Sequence, residues 1–151
     1  MEISFDRTEI EQSIVKRFER QVRLHPDRIA VKDAHQSISF TELNRAANRI
    51  AACLLDKRGE TSEAVAILFD HGLAAMAAIL AVLKAGKYYV PLDPSYPRTT
   101  IEHMLKDSQA AIILSDQATM DLAGALTGDG ITVINTDRIE NSLANDNRDM
   151  T

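Results

Sequence analysis

Asp70-His71 and Asp93-Pro94 are the places in this sequence where residue types and spacing could support chemistry. Each follows an apolar, β-favouring run and precedes a helical pattern, which sets an acid at a strand-to-helix corner. Ser115-Asp116 and Asn135-Thr136 stand at two further corners of the same kind. An Asp beside a His can act as a general acid–base pair, and one or two carboxylates can hold Mg²⁺ weakly. Each acid also has a plainer reading. Asp70 is expected to cap the helix that begins near Gly72. Asp93 is either a catalytic carboxylate or a turn former bonded to its own backbone, and the Asp-Pro context favours the turn.

Other chemistries lack their parts. No G-x-G-x-x-G or G-x-x-x-x-G-K phosphate cradle occurs. Gly86-Lys87 lacks the upstream glycine and follows a helix instead of preceding one, and Gly124, Gly128 and Gly130 have the wrong spacing and order. His25, His35, His71 and His103 do not pair at metal-ligand spacing, and Cys53 is alone. No zinc site and no intrachain disulfide are expected, and Cys53 reads as an inert buried thiol. No serine sits in a G-x-S-x-G elbow. Lys84 is the last-turn cation that a helix dipole favours. Tyr88 and Tyr89, adjacent in a strand, must point to opposite faces and cannot line one pocket. No catalytic, cofactor-binding or metal-binding residue is assigned to this chain.

The elements that must hold these corners follow from patterning. Ile10, Ile14, Phe18 and Val22, with Val15, make one apolar helical stripe, opened by a Thr8–Glu11 capping box and closed before Pro26. Ile29 and Val31, then Ile38 and Phe40, alternate around the polar connection 33–36 and predict a β-hairpin. Thr41 is expected to cap the next helix. Its inner face is Leu43, Ala46, Ala47, Ile50, Ala51 and Leu54, and its wet face is Asn44, Arg45, Asn48 and Arg49, with Gly59 ending the turn after it. The continuous apolar run 65–69 predicts a parallel strand covered on both faces. Residues 72–84 are apolar nearly all round, so that helix must be buried on more than one side.

Gly86 stands where a helix end tolerates positive φ, and 88–90 is a strand. Pro91 belongs at a strand end or sheet edge, and Pro97 in the first turn of a helix. That helix is marked by Ile101, Met104 and Leu105 and boxed by Thr99 and Glu102. Strands follow at 110–114 and 131–134, separated by a helix from a Ser115 cap to about Leu126 and a Gly128-Asp129-Gly130 turn. One or two helical turns are expected over 137–143, and 145–151 reads as a frayed, flexible tail. The fold class is α/β: a mainly parallel sheet with alternating helices and right-handed crossovers, preceded by an N-terminal helix, a hairpin and a second helix.

Composition agrees with one globular domain over 1–151. Apolar residues make up 45% of the chain, enough for a core at this length. The net charge of -5 argues against nucleic acid. The N-terminus lacks a signal-peptide pattern, and no apolar run reaches membrane-spanning length. A cytoplasmic location without membrane partners is expected.

The stretch 83–97, Leu-Lys-Ala-Gly-Lys-Tyr-Tyr-Val-Pro-Leu-Asp-Pro-Ser-Tyr-Pro, resembles the second core motif of nonribosomal peptide synthetase adenylation domains, Leu-Lys-Ala-Gly-x-Ala-Tyr-Val-Pro-Leu-Asp-Pro. It departs from that pattern at Tyr88, where the family usually has Ala. Upstream, Ser39-Phe40-Thr41-Glu42-Leu43-Asn44 is similar to the first core motif. The resemblance runs from about Ser13 to about Ser115 and implies the N-terminal part of the adenylate-forming (AMP-binding) fold. In the complete enzyme it implies ATP- and Mg²⁺-dependent formation of an aminoacyl adenylate, followed by transfer to a phosphopantetheinyl carrier-protein thiol. Both matched motifs are structural in that family. The phosphate loop, substrate pocket, ribose-binding Asp and mobile lysine lie downstream, so no catalytic role is carried onto any position here.

The chain therefore reads as a scaffold portion of an amino-acid-activating domain, inactive alone and without a cofactor of its own. Its partners would be the remainder of that domain and possible condensation and carrier neighbours, the first helix facing an upstream condensation domain. Two alternatives stand beside it: a self-contained small α/β binding or interaction module, and a portion of an acyl-CoA or aryl-acid ligase. A partial domain should leave the helix 72–84 bare on one side, whereas a complete one should cover it.

Overall fold

The computed structural model describes residues 13–70, 72–128 and 130–139. The Thr8–Glu11 box, His71, Asp129 and everything from 140 onward, including the expected tail, lie outside the described residues. Helix α1 (Ile14–Leu24) is capped by Ser13, whose Oγ accepts from the Lys16 amide at 3.2 Å, and it ends at His25 before Pro26. The hairpin is antiparallel, β1 (Ile29–Lys32) against β2 (Ser37–Ser39), with an irregularity between Ile29 and Val31. Its turn is built by Asp33, whose carboxylate accepts from the amides of His35 and Gln36 at 2.8 and 2.9 Å. Those bonds, that of His35 first, hold the Asp33 carboxyl below its usual range.

Helix α2 (Phe40–Arg58) is capped by Ser39, two residues before the expected cap at Thr41. Ser39 Oγ accepts from the Glu42 amide at 3.2 Å, and Glu42 returns the bond to the Ser39 amide at 2.9 Å. Phe40 is thus the first helical residue and not a strand position. Thr41 instead donates its hydroxyl to the Pro26 carbonyl at 2.9 Å, tying the helix to the loop before β1. A second correction concerns the wet face. Asn44 and Asn48 are buried, at 7% and 2% exposure, because another helix crosses that face.

That helix is α3 (Leu73–Lys84), which follows strand β3 (Ala64–Leu68). The sheet is completed by β4 (Tyr88–Leu92), β5 (Ile112–Ser115) and β6 (Thr132–Asn135), all parallel, in the order β4-β3-β5-β6. Helix α4 (Arg98–Ser108) links β4 to β5, and helix α5 (Met120–Leu126) links β5 to β6. The chain steps from β3 to β4 in one direction and from β4 to β5 in the other. Right-handed crossovers then place the intervening helices on opposite faces. Val65, Ile67 and Phe69 meet α2 and α3 on one face, while Ala64, Ala66 and Leu68 meet α4 and α5 on the other. Every residue of β3 and β5 is buried, which is why their sequences are continuous apolar runs.

Helix α3 lies between the sheet and α2. Ala77, Ala78 and Ala81 are 0–4% exposed and share a cluster with Ala47 and Ala51 of α2, so small side chains let the two backbones close up. Met76 is the exposed large residue of this helix, at 40%. The chain's own elements therefore cover α3, so among the described residues the bare side expected of a partial domain is not seen, and this criterion does not mark the chain as partial.

Four local expectations are corrected. The cap position of α3 belongs to Gly72, with φ 92° and no side-chain cap bond, and not to Asp70. A Cβ at Gly72 would come within 3.2 Å of Asp33 Oδ2, so the hairpin turn is seated closely against this corner, and the φ of 92° is what favours glycine there. Helix α4 is not boxed by Thr99 and Glu102. Pro97 occupies the cap, and Glu102 instead pairs with Arg98 at 2.8 Å. Strand β5 starts two residues late and takes in Ser115. Asp116 then caps a short 3₁₀ turn (Gln117–Thr119) ahead of α5. After β6, the described helical turn is a 3₁₀ turn at Thr136–Arg138.

Candidate functional site at the strand ends and around Lys84

The switch between β3 and β5 puts a crevice at the carboxyl end of the sheet, where open α/β sheets hold ligands. A depression of about 270 Å³ lies there, lined by Asp70, Pro94, Ser95, Ala118, Thr119 and Leu122. The corner acids predicted from the sequence do gather at this end, and the loops use their oxygens. Asp93 Oδ1 accepts from the Ser95 amide at 2.9 Å and the Ser95 hydroxyl at 2.7 Å, the turn-former arrangement. Asp116 Oδ1 accepts from the Thr119 amide at 3.1 Å. The Thr119 hydroxyl in turn donates to the Leu68 carbonyl at 2.7 Å, pinning the turn to the end of β3. Asn135 donates to Gln117, and Asp137 accepts from the Gln117 amide, both at 2.9 Å. Among the described residues no lysine or arginine lines the depression.

The histidines are scattered. His25 ends α1, His35 sits in the hairpin turn, and His103 lies on exposed α4 at 4.0 Å from Asp107. Among the described residues no three His, Cys, Asp or Glu side chains converge as metal ligands. Cys53 is half-buried, and burial raises its thiol pKa, which suppresses the reactive thiolate. Tyr88 and Tyr89 take opposite faces of β4, as adjacent strand residues must, since Ala64 and Val65 are their partners.

The motif residues 83–97 build a different kind of centre. Lys84 is in the last turn of α3, as expected, yet it is 1% exposed. Its Nζ donates to Glu19 Oε1 at 2.8 Å and to Asn44 Oδ1 at 2.9 Å, and it stands 5.9 Å from the centroid of the Phe18 ring. One ammonium thus joins α1, α2 and α3. Desolvation lowers the Lys84 pKa, and the bond and charge of Glu19 oppose that. Lys87, 4% exposed, donates to the carbonyls of Gly59 and Thr61 at 2.9 and 2.7 Å, with Glu63 Oε1 at 3.4 Å. Glu63 accepts a two-pronged bond from Arg58 at 2.8–2.9 Å, which is the main reason its carboxyl pKa is lowered.

Between the two lysines the helix ends on Gly86 at φ 73°. The Gly86 amide bonds Leu83 O and the Lys87 amide bonds Val82 O, both at 3.1 Å, which is the Schellman closure. Sequence reasoning placed Gly86 correctly and missed both lysine clamps. The available signal was that a helix apolar on all sides must bury its one cation as well.

Comparison with known proteins now bears on the reading. The family model described as AMP-binding enzyme matches residues 18–149. The chain belongs to the AMP-binding enzyme family. It is 39% identical over 123 residues to tyrocidine synthase 1 of Brevibacillus parabrevis, covering 82% of this chain and 11% of that protein. It is 43% identical over 101 residues to the dimodular nonribosomal peptide synthase of Bacillus subtilis, covering 67% and 4%. Among solved structures, the nonribosomal peptide synthetase FmoA3 bound to α-methyl-L-serine-AMP superposes with a TM-score of 0.81 at 27% identity, over 88% of this chain and 15% of that one.

The N-terminal subdomain of Klebsiella oxytoca NpsA shares the fold, with a TM-score of 0.78 at 19% identity over 96% of this chain and 36% of that one. The chain thus matches a portion of nonribosomal peptide synthetase adenylation domains and has the fold of the N-terminal subdomain. It spans about a tenth or less of the length of the curated relatives named here. No helix among the described residues is long and apolar enough to cross a membrane.

Proposed function

We propose that this chain serves as the structural N-terminal scaffold of an amino-acid-activating adenylation domain. The complete enzyme would join an amino-acid carboxylate to the α-phosphate of ATP, with Mg²⁺ and loss of pyrophosphate, and pass the acyl group to a carrier-protein thiol. One observation carries the scaffold reading. The polar groups of the strand-end loops close those loops, and the motif lysines are sealed into helix and loop junctions. Among the described residues no lysine or arginine lines the depression to meet phosphate charge, and Asp93 and Asp116 each bond their own turn through Oδ1. No catalytic step is assigned to any residue of this chain.

The relatives support the assignment of the parent reaction by their own ligands: FmoA3 has been solved with AMPPNP, and a four-domain synthetase with AMP and glycine. Neighbouring condensation and carrier domains belong to the same proposal, with α1 facing the former.

The test is amino-acid-dependent ATP–pyrophosphate exchange. The purified chain should give none across a panel of amino acids. A chimera in which this chain replaces the matched segment of the tyrocidine synthase 1 adenylation domain should exchange. Turnover that scales with the isolated chain, or a folded chimera without activity, would overturn the scaffold reading.

A further inference from the structure

We infer that the open edge of β4, carrying Tyr88, Tyr89 and Pro91, with Tyr96 in the following turn, is the surface against which the downstream part of the same adenylation domain packs. This rests on the scaffold reading above. The chain has three tyrosines, and all are exposed, at 53%, 39% and 48%, on this strand or just after it. Large aromatic side chains left in water at one edge are the composition of a protein interface. Tyr88 shares the face of Val90 and Leu92, over which α4 packs, whereas Tyr89 and Pro91 share the α3 face. The aromatic pair therefore flanks the sheet edge from both sides.

The backbone decides what kind of partner fits. The Tyr88 amide donates toward β3, to the Glu63 carbonyl at 3.2 Å. With a period of two, the amides of Val90 and Leu92 also face β3, and positions 89 and 91 face the open edge. Position 91 is proline and has no donor. The open edge of this five-residue strand thus offers one N–H, that of Tyr89, which is a poor template for another strand. Proline here also costs the sheet no ladder bond. The edge is blunted against strand addition, including addition by a second copy, while it stays rich in side-chain surface. A partner would meet it by packing on the tyrosines.

The occupant follows from extent. The chain matches 36% of the NpsA N-terminal subdomain at a TM-score of 0.78, so most of a subdomain of this fold lies beyond the equivalent elements and must rest on them somewhere. It does not rest on α3, which this chain already covers. Among the described residues the other exposed large apolar side chains, Ile14, Leu24, Ile29 and Met76, are spread over α1, the hairpin and α3 and include no aromatic ring.

Nitration by tetranitromethane, read by mass spectrometry, tests the assignment in the isolated chain and in the tyrocidine synthase 1 chimera. All three tyrosines should react in the isolated chain at rates independent of its concentration. In the chimera Tyr88 and Tyr89 should react at least about tenfold more slowly. Equal rates in a folded, exchange-active chimera would overturn the edge assignment and leave the scaffold reading standing. Protection that grows with concentration in the isolated chain would make a second copy the occupant and overturn the assignment too.

A parallel binding assay uses the chain against the remainder of the tyrocidine synthase 1 domain in trans. Tyr88→Ser with Tyr89→Ser should weaken assembly about tenfold or more, and Met76→Ser should not. Equal binding by these variants refutes the edge. Failure of the wild-type chain to assemble, where the relative's own segment does, refutes the scaffold reading and the edge with it.

Discussion

Glu19→Ala should be among the most damaging single substitutions on the surface of this domain. Glu19 is 17% exposed and its carboxylate pairs with the Lys84 ammonium at 2.8 Å. Its removal takes that charge away from an ammonium at 1% exposure, which also donates to Asn44 Oδ1 and stands 5.9 Å from the Phe18 ring centroid. Breaking a buried pair in this way costs about 3–5 kcal/mol. Partial water access around Glu19 puts the expected loss near the low end, about 3 kcal/mol. Lys84→Met behaves differently. It removes the charge together with its desolvation cost, keeps the volume of the stem, and leaves a carboxylate that can rehydrate. Asn44 loses one bond, so the net change should stay within about 1.5 kcal/mol.

The double variant should then resemble Lys84→Met alone, giving a coupling of about 2–3 kcal/mol. Urea melts of the four proteins measure it. Additive losses, or a Glu19→Ala cost below about 0.5 kcal/mol, would refute a buried charge clamp. The pH dependence provides a second check. The folded pKa of Lys84 lies below its unfolded value. Between the two the unfolded chain binds more protons, so the stability contributed here rises with pH up to about 10.4. Below the folded pKa the penalty is present in full. Lys84→Met should flatten that alkaline rise, and Glu19→Ala should steepen it.

Gly86→Val should lower stability by at least about 1–2 kcal/mol through φ alone, since a Cβ at Gly86 meets nothing within 4 Å. An unchanged melting temperature would show that the Schellman closure is unimportant. Ser39→Ala should cost about 1 kcal/mol by opening the capping box, measured by thermal melting, while Thr41→Val should instead report on the bond to Pro26. Asp93→Asn, made in the tyrocidine synthase 1 chimera, should lower folding yield or melting temperature more than exchange per folded molecule. A loss of about 10²-fold in turnover at normal stability would make Asp93 a catalytic carboxylate after all.

Much of the architecture was readable because its signals are local. An apolar run bounded by turn residues specifies a doubly covered strand at β3 and β5, and a glycine between a helix end and a strand specifies positive φ at Gly86. The errors were local too. The alternation of Ile38 and Phe40 extended the hairpin one residue too far and hid the Ser39–Glu42 box, although its S-x-x-E spacing was in plain view. Asp70 was assigned a cap that falls to Gly72, because α3 starts at Leu73 and its cap residue takes φ 92°.

What tertiary structure alone decided is where long-range partners fall. Asn44 and Asn48 lie on a face of α2 that is polar by pattern, and they are buried only because α3 crosses there. Lys84 is a last-turn cation by sequence. Its partners are 65 and 40 residues away, and helix packing alone could bring them within 3 Å. The same holds for the edge. The sequence by itself put Pro91 at a strand end or edge. Which strands stand next to β4, and hence that its tyrosines face no neighbour, follows from the β4-β3-β5-β6 order. Strand order is set by crossover direction and by the burial of both faces of β3 and β5. Neither is written in the residues of any one strand.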